Sequence, residues 1–343
     1  MKNKAKDLFF KNINLIRTTV FVGIVALCVI IGGLFFNSQS DRKQEQLDNI
    51  ASSRQSIYFS PVQIPDKLDF AGEAVPLHNF DTRESLDREL LSCANFHSQT
   101  ILFLKKLPRY FKIIEPILKK NNIPDDFKYL ALAESSFLDK AISPAGAIGI
   151  WQFMKSAALG CGLEINAEVD ERFNIEKSTQ AACIYLNNSY RTYHNWTLVA
   201  ASYNAGMNGI ERQVELQDSR NYYDLLLNEE TARYIFRILA LKLVMNNPDK
   251  YGFRVDDKDK YPIIPIKEIK VTGSITSMTE FAHAHDVNYK ILKYLNPWLR
   301  QTYLKNPFNK TYILKIPEPG FRKFKIDDQT GSQKEGLIIG GEN

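Results

Sequence analysis

From about residue 86 to residue 245 apolar side chains return every three or four positions, the period of an amphipathic helix, and that pattern limits this part of the chain to packed helices. Leu86, Leu90, Ile101, Leu104, Phe111, Ile114 and Leu118 share one stripe. Ala181, Ala182, Tyr185 and Leu186 share another between Ser178 and Tyr193, and residues 231–245 are strongly apolar. Pro108 and Pro124 are the expected helix boundaries. Asp125 and Asp126 are expected in the first turn of the following helix, where acidic groups complement its dipole. Residues 170–174 read as a connecting loop, and Asn204-Ala205-Gly206 as a helix stop. The expectation for residues 86–255 is a helical lobe large enough to hold its own core.

One carboxylate in this lobe sits on the apolar side. Phe127, Leu130 and Ala131 precede Glu134 by seven, four and three residues, which places Glu134 on their stripe. Desolvation there disfavours the charged form, so the acid keeps its proton near neutral pH and is able to donate it. For a single helical glutamate the commoner arrangement is a helix-end carboxylate reaching solvent or pairing with a neighbour, here Lys140. The next residues favour the first reading. Ser143-Pro144-Ala145-Gly146-Ala147 breaks the helix, a new helical stretch is expected from Ile150-Trp151-Gln152, and helix, turn and helix together make a cleft wall.

Glu134-Ser135, Ser143-Pro144-Ala145-Gly146-Ala147, Gly149-Ile150-Trp151-Gln152, Ala201-Ser202-Tyr203-Asn204-Ala205-Gly206 and Glu230-Thr231-Ala232-Arg233-Tyr234 follow one another in that order. The set resembles the motifs of lytic transglycosylases with a goose-type-lysozyme-like catalytic domain, and among them the membrane-bound murein type. On composition alone, Gln152 and Asn204 pass as surface amides, and Tyr203 and Tyr234 as core aromatics. The resemblance implies instead that Ser143, Gln152, Tyr203, Asn204 and Tyr234 line a groove beside Glu134, holding a sugar or orienting the carboxyl. Amides and hydroxyls suit sugar hydroxyls and acetamido groups, and aromatic faces pack on sugar rings.

Most glycosidases set two carboxylates across the scissile bond, whereas this motif set offers Glu134 alone. Asp170 and Glu171 fall in a loop whose family counterpart is not catalytic, and Asp139 reads as a solvated turn residue. The resemblance implies that Glu134 protonates the oxygen between N-acetylmuramic acid and N-acetylglucosamine. It then takes the proton of the muramyl C6 hydroxyl, leaving a 1,6-anhydro end. Two alternatives stay open: a muramidase that admits water, and a wall-binding protein that has lost turnover. The implied partner is the peptidoglycan glycan strand, and no cofactor is needed.

Residues 18–36 carry no charge, and a helix of that length spans ~28 Å, about the hydrocarbon thickness of a bilayer. Lys2, Lys4, Lys6, Lys11 and Arg17 precede it against Asp7 alone, which orients residues 1–17 to the cytoplasm and the rest to the periplasm. A cleaved signal peptide is the alternative, with Ser38-Gln39-Ser40 as the site. Lipidation at Cys28 is disfavoured by the bulky Leu27 before it. Most of the formal +5 charge belongs to the basic tail, so it reports membrane topology rather than nucleic-acid binding. Cys161 and Cys183 are a candidate disulfide in an oxidising compartment, with buried thiols the commoner outcome. No cysteine or histidine spacing points to a metal.

Residues 37–85 are polar and interrupted by Pro61, Pro65 and Pro76, which suits a linker of ~40 Å reach, although Phe70 suits packing on the lobe. Beyond residue 255 the pattern changes. Residues 261–275 alternate as a strand, and residues 262–318 resemble a degenerate LysM module, a β-α-α-β unit that binds N-acetylglucosamine chains. Leu292, Lys293, Tyr294, Leu295, Asn296 and Pro297 match its later part, but its usual opening motif is absent. Glycan binding and packing against the lobe therefore both remain open. His283 and His285 read as solvated, and residues 319–343 as a loose tail. The expected fold is mainly α: a lysozyme-like catalytic domain, a small α+β LysM-like module and one N-terminal transmembrane helix.

Overall fold

The helical lobe is wrapped around one helix that is apolar on nearly every side. In the computed structural model, which describes residues 61–322, the helices of the lobe are α1 (Phe80–Asn95), α2 (His97–Lys120), α3 (Phe127–Ser135) and α4 (Lys155–Gly160). They continue with α5 (Ile175–Tyr193), α6 (Trp196–Ala205), α7 (Met207–Gln217) and α8 (Glu229–Asn246). Along α8, Tyr234, Ile235, Ile238, Leu239 and Val244 are buried, so neighbours are needed all round it, and α1, α3 and α6 supply them. Leu86, Leu90, Leu130, Leu132, Leu198 and Val199 fill the space between. Helix α2 packs on α5 through Ile114 and Leu118.

The predicted anchor at 18–36, the basic tail, residues 37–60 of the linker and residues 323–343 lie outside the described residues. Among the described residues no helix is long and apolar enough to cross a membrane. From residue 61 onward the expected linker packs on the lobe. Strands β1 (Asp69–Phe70) and β2 (Glu73–Ala74) pair antiparallel, and Phe70, Val75 and Leu77 enter the core. Glu73 caps α6, accepting from Trp196 N at 2.5 Å and Thr197 N at 2.9 Å.

Three local expectations change. Pro108 lies inside α2 rather than at its end. A proline there cannot donate to the ladder, and close by Lys105 O accepts from Tyr261 N at 2.8 Å. Arg109 donates to Pro262 O at 2.9 Å, so the chain leaving the lobe docks beside the proline. Asp126 stands before the first turn of α3 and accepts from Ala71 N at 2.7 Å and Lys242 Nζ at 2.8 Å, while Asp125 pairs with Lys128. Residues 150–154 form a turn, not a helix. Gly149 and Gln152 are left-handed, with φ of 80° and 47°, and Ile148 bridges both Ile142 and Phe153, so the helix starts only at Lys155.

The C-terminal module has the anticipated β-α-α-β order. Strand β3 (Ile266–Val271), α9 (Met278–Ala284), α10 (Tyr289–Leu295) and β4 (Tyr312–Pro317) follow in sequence, and β3 pairs antiparallel with β4 from Ile266↔Pro317 to Val271↔Tyr312. Its core holds Met278, Leu292, Trp298, Leu304 and Leu314, and Val169 and Phe173 of the lobe join the same core. Each of these two side chains contributes ~1.5–3 kcal/mol of burial to the junction.

Candidate active site

Glu134 is the penultimate residue of α3, and the chain turns sharply behind it. Ser136 and Phe137 are both left-handed, with φ of 55° and 50°, a conformation that costs of order 1 kcal/mol per non-glycine residue and persists only where neighbours enforce it. Here α2 enforces it. Lys106 Nζ donates to Ser136 O at 2.9 Å and Phe137 O at 3.3 Å, Gln99 Nε2 donates to Ser136 Oγ at 3.2 Å, and the Phe137 ring stacks on Tyr110 with centroids 4.7 Å apart. The end of the acid-bearing helix is clamped.

The Glu134 carboxyl is recessed, and the Tyr234 hydroxyl of α8 donates to its Oε1. It forms no ion pair among the described residues, with Lys140 or any other cation. Burial therefore dominates and lifts its pKa to about 7. The Tyr234 hydrogen bond and the charge of Arg237 pull the other way, and the charge of Glu230 adds to the rise. The hydroxyls of Tyr203 and Tyr234 are buried beside this carboxyl, and burial first, then its charge, pushes both far above the usual phenol range. Tyr203 donates to Trp151 O at 2.7 Å, which links the 141–153 loop to the acid.

The remaining predicted site residues stand further out. Asn204 Oδ1 accepts from Thr231 Oγ1 at 2.8 Å, joining the Tyr203-Asn204 and Thr231-Tyr234 motifs, and Thr231 N is capped by Asn228 at 3.0 Å. Ser143 and Gln152 spend these contacts on their own loop. Ser143 Oγ accepts from Ala147 N at 3.0 Å, and Gln152 Nε2 donates to Gly149 O at 2.8 Å. Trp151, fully buried, donates from Nε1 to Thr179 Oγ1 of α5 at 2.9 Å. Thus the fold brings Glu134, Tyr203 and Tyr234 together, ties Asn204 to Thr231, and puts Ser143 and Gln152 on a separately built loop.

Several residues differ from the sequence reading. Asp139 is not solvated: its carboxyl is recessed, accepts from Tyr110 Oη at 2.6 Å, and is pushed up by burial. Asp170 and Glu171 are buried in a short 3-10 turn. Asp170 is held by Arg172, and Glu171 accepts from Glu164 N at 2.8 Å and pairs with Lys177 at 2.7 Å. Arg237 was missed, although its place one helical turn beyond Tyr234 was a usable signal. Cys93, Cys161 and Cys183 are free thiols, the commoner of the two outcomes expected, so the candidate Cys161–Cys183 disulfide is not formed. Among the described residues no cluster of three or more His, Cys, Asp or Glu side chains is placed to hold a metal, and His283 and His285 lie at the end of α9.

Comparison with known proteins finds similarities over two parts of the chain. Residues 111–226 match the transglycosylase SLT domain, and residues 267–320 match the C-terminal LysM-like domain of soluble lytic transglycosylases. The chain is 28% identical over 203 residues to the membrane-bound lytic murein transglycosylase D of Escherichia coli K12. The match covers 57% of this chain and 44% of that protein, so it spans less than half the relative's length. The soluble lytic transglycosylase SLT70 of Escherichia coli aligns with a TM-score of 0.36 and 20% identity, over 44% of this chain and 26% of its own. The lytic transglycosylase Slt of Pseudomonas aeruginosa aligns with a TM-score of 0.36 and 16% identity, over 53% and 35%.

Proposed function

We propose that this chain, which carries an SLT transglycosylase domain followed by a LysM-like domain, cleaves the β-1,4 bond between N-acetylmuramic acid and N-acetylglucosamine in peptidoglycan, with Glu134 as its single acid/base. The observation that carries this reading is a recessed carboxyl held by Tyr234 that, among the described residues, has no ion-pair partner, and whose pKa burial raises to about 7. An acid with that affinity is populated in both protonation states near neutral pH, as a group that first donates and then accepts a proton requires. Tyr234 donates to Oε1, and Oε2 is the oxygen assigned to carry the proton.

In the proposed reaction the Glu134 proton passes to the bridging oxygen as its bond to muramyl C1 breaks. The muramyl C6 hydroxyl then bonds to C1 and returns its proton to Glu134, so no water is consumed. Tyr203 and Tyr234 orient the carboxyl, and Ser143, Gln152 and Asn204 hold the sugars. Residues 18–36 anchor the chain in the inner membrane with the catalytic lobe in the periplasm, where the glycan strands lie.

Mass spectrometry of muropeptides released from purified peptidoglycan tests the reading, using the detergent-solubilised full chain beside Glu134→Gln. Anhydro-muropeptides from the parent and none from the variant are expected. Products heavier by one water make the enzyme a muramidase, and an absence of products from both proteins favours a binding role.

A further inference from the structure

We propose that the C-terminal module holds the 141–153 loop in its working conformation through Asp170 and Arg172, and that Arg172 is a positioning residue for the Glu134 site. The module grips the segment leading into these residues along its backbone. Asp170 N donates to Trp298 O at 2.9 Å, Arg300 N to Glu168 O at 2.7 Å, and Lys305 N to Glu168 Oε2 at 2.7 Å. Val169 bridges Leu299, and the Arg300 guanidinium lies 4.2 Å from the Phe173 ring centroid. The turn at 170–172 is thereby built into the module's core as well as the lobe's.

From that turn Arg172 reaches the loop. Its Nε and Nη2 donate to the two oxygens of Asp170 at 3.0 and 2.8 Å, which fixes the plane of the guanidinium. The remaining nitrogen, Nη1, donates to Phe153 O at 3.2 Å and Gly146 O at 3.4 Å. The backbone of Arg172 also meets the loop. A Cβ built on Gly149 would lie 2.0 Å from Arg172 O, so only glycine permits this approach. The loop needs an outside support because Pro144, Ala145 and Gly146 at its tip are exposed. What it presents to the site is the Trp151 carbonyl that receives Tyr203. Arg172 is only 6% exposed, and a lysine supplies a point charge rather than a fork able to hold Asp170 and both carbonyls.

The kinetic part of this inference rests on the proposed activity, whereas its structural part does not. The test therefore uses two readouts on the full chain: hydrogen exchange at the Gly149 and Phe153 amides, and kcat and KM on solubilised glycan strands. Arg172→Gln is expected to speed loop exchange about tenfold while α8 amides stay unchanged, and to lower kcat by up to about 10²-fold with a smaller change in KM. Arg172→Lys should fall between the two proteins. Arg300→Ala, which alters an exposed module side chain, should produce the same pattern in smaller measure. Unchanged loop exchange in Arg172→Gln, exchange rising equally in α8, or faster loop exchange with parental kcat would each overturn the proposal. Should Arg172→Gln fail to fold, Arg300→Ala decides: faster loop exchange supports the brace, and parental exchange removes it. If the parent shows no turnover at all, the proposed activity falls while the exchange result still judges the brace.

Discussion

The end of α3 and the turn at residues 170–172 each bury a carboxylate, and they use it in opposite ways. Asp170 faces a guanidinium that holds both its oxygens, so its charge is compensated and serves as a joint. Glu134 faces a phenol hydroxyl and, among the described residues, has no ion-pair partner, so burial is left to raise its proton affinity. Burial alone therefore does not make an acid. The partner decides whether a recessed carboxylate serves as an anchor or, in the proposed reaction, as a proton donor.

Removing each carboxyl should separate the two roles, and the largest effect belongs to Glu134. Glu134→Gln is expected to lower turnover by about 10²–10⁴-fold, measured as released product per folded enzyme. It should also flatten part of the stability profile. The folded carboxyl keeps its proton up to about pH 7, against an ordinary value of 4.5, so between these limits the folded state binds more protons than the unfolded chain. The parent thus loses stability as pH rises through that window, and Glu134→Gln does not. Denaturant titrations at pH 5 and pH 8 read this directly, and a parent whose stability rises over the same range would remove the assignment. In the proposed reaction Glu134 must be protonated to act, so turnover should fall as pH rises past about 7.

Asp170→Ala should act in the reverse sense, destabilising the fold by ~3–5 kcal/mol because it strands Arg172 without its partner. Urea denaturation would reveal this, and a variant as stable as the parent would place the pair outside the structural frame. Tyr234→Phe comes next. Losing the donor that favours the carboxylate should shift the falling limb of the pH–rate profile upward and reduce turnover roughly tenfold, with little change in melting temperature. The smallest effect is expected at the rim of the brace. Lys177→Ala removes a half-exposed partner of Glu171 and should cost less than about 1 kcal/mol, because solvent screens such pairs.

Much of this arrangement was legible in the sequence where the information is local. The stripe of Phe127, Leu130 and Ala131 set Glu134 toward the apolar side, and the helices expected over residues 178–193 and 231–245 emerge as Ile175–Tyr193 and Glu229–Asn246. Asn204-Ala205-Gly206 ends α6 as its composition suggests. What misled was also local. Pro108 looked like a boundary because a proline disturbs an isolated helix, but distant Tyr261 and Pro262 dock beside it. Residues 150–154 looked helical because their apolar spacing carries no record of the left-handed turns at Gly149 and Gln152. Asp139 looked solvated because nothing nearby in the chain announces Tyr110.

The sequence by itself determined most of the helices of the lobe and which carboxylate lies on an apolar face. These follow from residue spacing and turn chemistry, which act over a few positions. The tertiary structure alone decided that Glu134 meets Tyr234 a hundred residues away, that Asp170 pairs with Arg172, and that the module's core includes Val169 and Phe173. A pKa depends on every charge and dipole packed around the group, and a joint depends on two surfaces meeting. Neither is a property of a stretch of chain until the chain has closed on itself.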